Sequence, residues 1–287
     1  VTIPTGDNAG VPLSESPGEV ICEDEAGARW TPSAGALRGV RILLADDSLD
    51  NQVLLRAVLG NVGAEVEVAE NGRLAVERAQ ADAFDVVLMD MNMPEMDGYE
   101  ATRRLRDRGY RRPILALTAN AMSGDADRCL AAGCDAHLAK PIDRKKLILA
   151  VSQYAPPKTG QTEALITSPT PAVRPGLSDA IVSQFADDRD FADILAGFVE
   201  RLSNQSETLC KALEEDRLED AERLAHQLKG AGGGYGYPTL SEAAKSLELA
   251  ARDRDVDGAT VALAGIKDVC AAIQRGWECH TPQAAPS

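Results

Sequence analysis

No run in the 287-residue sequence approaches the roughly 18 consecutive apolar residues needed to span a bilayer, and the first residues lack a charged-then-apolar export pattern. No membrane segment is therefore expected, and the chain reads as soluble. Positive charge is in deficit: 45 acidic residues against 30 basic ones give a formal charge of −15. Such a balance repels phosphate backbones and argues against nucleic acid as a direct partner. C-x-x-C pairs are missing, as is any His-Cys spacing suited to zinc, so the six cysteines read as free thiols in a reducing cytoplasm. A glycine-rich nucleotide loop is also missing, so no ATP-binding catalytic domain and no organic cofactor site are expected. The chain opens on Val1 rather than Met, which leaves room for an upstream segment, a membrane anchor included.

What is present suffices for two cores, with 44% hydrophobic residues. Residues 1–38 and 156–176 are rich in Pro, Gly, Ser, Thr and acids without an apolar face, and read as linkers. They separate a domain over 39–155 from a second over 177–276, and 277–287 form a tail. In the first domain, short apolar runs (40–45, 64–69, 85–89, 114–117 and 136–138) alternate with amphipathic stretches, which predicts a doubly wound α/β fold with a five-stranded parallel sheet. Ligand sites of such sheets lie beyond the carboxyl ends of the strands. After Gly176 the apolar residues recur at helical spacing, as in Phe191, Ile194, Leu195, Phe198 and Leu202, and an all-α antiparallel helical bundle is expected.

The predicted strand ends collect Asp46-Asp47, Asp90, Thr118 and Lys140. Three carboxylates at one edge repel unless a cation holds them, and oxygen-only donors suit Mg²⁺. A metal there would neutralise an incoming phosphoryl group and make Asp90 a tolerable nucleophile, with Lys140 and the Thr118 hydroxyl facing the phosphoryl oxygens. Singly, each residue has an ordinary explanation: Asp46 or Asp47 as a helix cap, Asp90 and Lys140 as solvated charges, Thr118 as a β-former. The ordered set at four strand ends does not.

The strings RILLADDSLDNQ, VVLMDMNMPEMDG, LALTANAM and GCDAHLAKPI resemble the receiver domain of two-component response regulators, over about 115 residues. That resemblance implies a flavodoxin-like fold and phosphorylation of Asp90. It also implies Mg²⁺ bound directly by Asp47 and Asp90, through water by Asp46, and by the backbone carbonyl of Asn92. Thr118 and Lys140 match the switch hydroxyl and the lysine of that family. One departure is His137, where the family usually carries the Tyr or Phe that swings inward on phosphorylation; a partly exposed histidine filling that slot is expected.

In LAHQLKGAGGGYGYP, helical spacing places Lys229, Gly230 and Gly233 on the face of His226. Small neighbours would expose the imidazole and Lys229 would set a cation beside a phosphorylated ring, while Gly232-Gly233-Gly234 is expected to loosen that turn. His226, Lys229, Gly230 and Gly236 resemble the histidine phosphotransfer (Hpt) pattern, which implies a four-helix bundle over roughly 178–273. The opening VTIPTG resembles the last strand of a kinase ATP-binding domain. Together these imply the carboxyl-terminal part of a hybrid sensor histidine kinase. A kinase core, in the same polypeptide or in trans, would label Asp90; His226 would take the phosphoryl group and hand it to a downstream response-regulator receiver. An aspartyl phosphatase is the enzyme rival, since Asp90-x-Asn92 is similar to the haloacid-dehalogenase Asp-x-Asp motif. In that family, however, the motif follows the first strand. A pseudo-receiver scaffold is the binding rival, and it is disfavoured because no acceptor, metal or lysine position is lost.

Overall fold

A computed structural model describes residues 28–30, 35–118, 123–155, 167–169, 180–188 and 191–280. Two short strands, β1 (Ala28–Trp30) and β7 (Thr167–Pro169), pair antiparallel within the stretches read as linkers. The opening VTIPTG lies outside the described residues.

Between them run β2 (Arg41–Ala45), α1 (Leu49–Asn61), β3 (Glu65–Ala69), α2 (Gly72–Ala81) and β4 (Val86–Asp90), followed by α3 (Gly98–Asp107), β5 (Ile114–Thr118), α4 (Ser123–Ala132), β6 (Ala136–Ala139) and α5 (Arg144–Tyr154). The five strands β2 to β6 form a parallel sheet in the order β3-β2-β4-β5-β6, as the apolar alternation predicts. Strands β4 and β5 are buried along their whole length because helices cover both faces. Successive side chains leave opposite faces, so Leu43, Val87, Met89 and Ala116 pack toward α2, α3 and α4, whereas Ile42, Leu44, Leu88 and Leu117 pack toward α1 and α5. Edge strand β3 keeps Glu65 and Glu67 in solvent. Core packing reaches Leu37, which is buried and bonds its N–H to the Val62 carbonyl at 2.8 Å.

Helices start abruptly after the strands because Ser48, Asn71, Asp97 and Asp143 cap them, each side chain accepting a backbone N–H of the first turn. Asp46 and Asp47 are therefore not spent on capping α1; Ser48 does that.

Helices α6 (Ala192–Glu214), α7 (Leu218–Gly234), α8 (Pro238–Arg252) and α9 (Val256–His280) form the expected bundle, with α7 against α6 and α8 and α9 against α6 and α8. Its core is aromatic at one end: Phe198 stacks on Tyr235 with ring centroids 4.0 Å apart, and Tyr237 is buried beside them. Fully burying a ring such as Phe198 stabilises the fold by about 2–3 kcal/mol. The glycine run does not loosen α7, which stays helical through Gly234. The physical reason is packing on both sides: a methyl group at Gly232 would crowd Leu240 and Ser241 of α8, and one at Gly233 would overlap the ring of Pro141. Apolar contact is continuous from the α1 face of the sheet into the bundle, through Leu54 and Leu55 to Leu228, Ala231 and Tyr235.

Candidate functional site

Asp90 ends β4 and Thr118 ends β5, while Asp46-Asp47 follow β2 and Lys140 follows β6, so the sheet delivers all five to one edge. Carboxylate oxygens of Asp46, Asp47 and Asp90 lie within 4.8 Å of one another. Lys140 Nζ sits between two of them, 2.6 Å from Asp90 Oδ2 and 3.0 Å from Asp46 Oδ2. Burial works against the Lys140 ammonium, but Asp46 and Asp90 outweigh it and hold its pKa above the ordinary lysine value. Burial pushes the Asp46 carboxyl up; Lys140 opposes that rise and the charge on Asp90 adds to it. Asp47 is raised too, by burial and then by the charge on Asp46. Asp46 is further held by the Ser48 N–H at 2.9 Å and by the Asn51 amide. The exposed Asn92 donates its backbone N–H to Asp90 Oδ1 at 3.1 Å.

On the bundle, His226 and Lys229 lie on α7, where local spacing places them on one face. His226 is only 15% exposed, more covered than its small neighbours suggest. Its Nδ1 lies 2.8 Å from Glu248 Oε1 on α8, and Lys229 Nζ donates to the other oxygen at 2.6 Å. Burial favours the neutral Glu248, yet the hydrogen bonds from His226 and Lys229 overcome it and pull its pKa down to about 2. Glu248 is thus an acceptor at neutral pH, so Nδ1 carries the proton and the lone pair resides on Nε2.

The two parts meet. Asn92 and Thr118 of the sheet edge and His226, Lys229 and Glu248 of the bundle line one cleft of about 370 Å³. Gln227 donates its amide to Asp47 Oδ2 at 2.6 Å, and Gly230 faces Asn51 and Lys140. His137, on β6, is partly buried as expected, with no hydrogen-bond partner for Nδ1 among the described residues.

Residues 42–152 match the model of the response regulator receiver domain, and residues 193–276 match that of the Hpt domain. The two-component response regulator ORR41 of Oryza sativa subsp. japonica is 40% identical over 123 residues, which are 42% of this chain and 97% of that protein. The chain belongs to the response regulator receiver family. Its receiver precedes an Hpt domain, and that pairing is the composition of a phosphorelay component. The sensor protein GacS of Pseudomonas syringae pv. syringae is 34% identical over 226 residues, 74% of this chain but 24% of that protein. The chain thus spans about a quarter of that relative's length. The receiver domain of sensor histidine kinase PA1611 from Pseudomonas aeruginosa, solved with a magnesium ion in its active-site cleft, is 41% identical and covers 41% of this chain and 98% of its own, with a TM-score of 0.39. Among the described residues no helix is long and apolar enough to cross a membrane.

Sequence reasoning named Asp46, Asp47, Asp90, Asn92, Thr118 and Lys140 on the receiver side but missed Glu248 and Gln227 on the bundle. Glu248 had a signal: it interrupts the apolar stripe of α8 formed by Leu240, Ala244, Leu247 and Ala251, where a buried acid demands a partner. Gln227 had none, because its partner Asp47 lies on the opposite domain.

Proposed function

We propose that Asp90 accepts a phosphoryl group from a kinase phosphohistidine and that His226 takes it from Asp90. The cleft shared by Thr118, Asn92, His226 and Lys229 is the observation that carries this reading. In the first step an Asp90 carboxylate oxygen attacks phosphorus, an O–P bond forms, and the N–P bond of the donor breaks as its imidazole leaves. In the second, His226 Nε2 attacks the same phosphorus, an N–P bond forms, and Asp90 is released as carboxylate. Acyl phosphate and phosphoramidate are both energy-rich, so catalysis consists of positioning and charge stabilisation. Glu248 holds the Nδ1 proton, which presents the Nε2 lone pair and steadies the positive charge that develops on the ring. Lys140 and Thr118 serve the phosphoryl oxygens on the receiver, and Lys229 serves them on the Hpt side.

The acidic pocket fits magnesium. Its donors are hard oxygens, and three carboxylates with one ammonium leave two negative charges to balance. Asp46, Asp47, Asp90 and Asn92 would hold the ion, which when bound neutralises charge on the transferring group. The decisive experiment is incubation with acetyl phosphate and Mg²⁺ followed by mapping. Base-labile phosphate is expected on Asp90 and acid-labile phosphate on His226; label on any other residue in their place overturns the assignment.

The likeness to GacS supports reading the chain, with its receiver over 39–155 and Hpt domain over 177–276, as part of a hybrid sensor kinase. A histidine kinase core would supply Asp90 and a further receiver would drain His226. Because the kinase core that would feed Asp90 draws on ATP, a cytoplasmic location is the one this reading calls for.

A further inference from the structure

The receiver and the Hpt domain are held together by two arginine-centred contacts outside the transfer chemistry. On α1, Asp50 is 2% exposed and turns its carboxylate to the bundle. Arg201 Nε of α6 donates to Asp50 Oδ1 at 2.8 Å, Gln205 donates to Oδ2, and the Tyr235 hydroxyl donates to the Asp50 carbonyl at 3.1 Å. At the other end, Arg144 of α5 enters a cage ahead of α6. Its guanidinium carbon lies 3.8 Å from the centroid of Phe185 and 3.6 Å from that of Phe191, and Nη1 donates to Asp188 at 3.1 Å. The charges are reversed between the two contacts: the receiver supplies the acid in one and the base in the other.

We propose that Asp50 and Arg144 are specificity determinants by which this receiver selects its own Hpt domain, so that transfer from Asp90 to His226 proceeds within one chain in a pre-docked arrangement. The proposal rests on the relay reading above. A receiver without an acid at the Asp50 position would leave Arg201 and Gln205 unmatched, and one without a base at Arg144 would forfeit the guanidinium between the two aromatic faces and its bond to Asp188. Covering unmatched polar groups costs more than forming the pair gains, so the pattern rejects partners as well as recruiting one. The arrangement also explains Gly233: a methyl group there would overlap the rigid ring of Pro141 of the receiver, so α7 can approach this closely only with glycine at that position.

The test uses full-length protein, labelled on Asp90 by acetyl phosphate and Mg²⁺, with appearance of phosphate on His226 timed. In the wild type the rate should be independent of protein concentration from roughly 0.1 to 10 µM, far below the on the order of millimolar effective concentration of a tethered domain. Asp50→Asn and Arg201→Gln should each slow it about tenfold while Asp90 labelling stays within about twofold, and the double variant should be no slower than either single by more than about twofold, the mark of a shared contact. Arg144→Ala should slow transfer independently. Unchanged transfer in all the variants, or losses for Asp50 and Arg201 that multiply, overturns the proposal. Should Asp50→Asn upset the receiver, Arg201→Gln on the bundle decides the matter alone. Wild-type protein labelled on Asp90 but never on His226 would instead sink the relay reading itself.

Discussion

Gln227, the residue after His226, donates its side-chain amide to Asp47 at 2.6 Å, across 180 residues of sequence. The candidate nucleophile of one domain is therefore anchored, one residue away, to an acid of the other domain's carboxylate pocket. Removing the amide frees one Asp47 oxygen and loses its orientation. Gln227→Ala should weaken Mg²⁺ binding up to about tenfold, the lower end for loss of an orienting partner behind a metal ligand. Titration of the full chain with Mg²⁺ checks this, and an unchanged affinity would mean that Asp47 is set by the receiver alone.

Asp90→Asn should abolish acyl phosphate without unfolding the receiver, since the amide keeps the shape but not the nucleophile. His226 should then stay unlabelled by a kinase core, because the bundle offers no metal pocket among its described residues. His226→Gln should trap the label on Asp90. Full-rate labelling of His226 in the Asp90→Asn protein would show the order to be wrong.

Lys140→Ala separates phosphate contact from metal binding. It should retain Mg²⁺ affinity while slowing phosphorylation, whereas Asp47→Ala should lose the metal. Without Mg²⁺ the same variant leaves Asp46 and Asp90 buried and unpaired, which costs roughly 3 kcal/mol. Thermal melts with and without Mg²⁺ should show a deficit that the metal largely erases; a deficit indifferent to the metal would argue against a shared pocket.

Glu248 makes bundle stability depend on pH. Its pKa falls from an ordinary 4.5 to about 2 in the folded protein, so its contribution is complete above 4.5 and is lost as the pH drops toward 2. Glu248→Leu should lower stability at neutral pH, and the gap from wild type should narrow across that window. Denaturant melts at several pH values measure it. The variant should also slow phosphorylation of His226 more than tenfold, because the Nδ1 proton loses its acceptor.

Gly233→Ala sets helix propensity against docking. Alanine favours an isolated helix by about 1 kcal/mol, yet its methyl group would overlap the Pro141 ring. The helical melt should hold or rise while transfer from Asp90 to His226 slows about tenfold. Transfer at the wild-type rate would mean that α7 need not lie so close to the receiver.

Two kinds of regularity were readable along the chain. The five strands of the parallel sheet and the helical stretches that flank it or form the bundle followed from apolar periodicity, and the pocket followed from it in turn, because a parallel sheet brings its strand ends to one edge whatever the loops do. His226, Lys229 and Gly230 were readable because one helical turn relates them. Helix α6 was harder: its apolar stripe between Leu202 and Leu209 is broken by polar residues, and the bundle carries the helix through the gap. Three features came only from the packing of distant segments. Glu248 is 22 residues from His226, Arg201 is 151 from Asp50, and Gln227 is 180 from Asp47. No periodicity relates such pairs; each was brought together by the burial of apolar faces, which is indifferent to the polar groups it aligns. The glycine run shows the difference most directly. Its composition weakens a free helix, but α8 on one side and Pro141 on the other hold it helical, because only a bare backbone fits between the Ser241 main chain and the Pro141 ring.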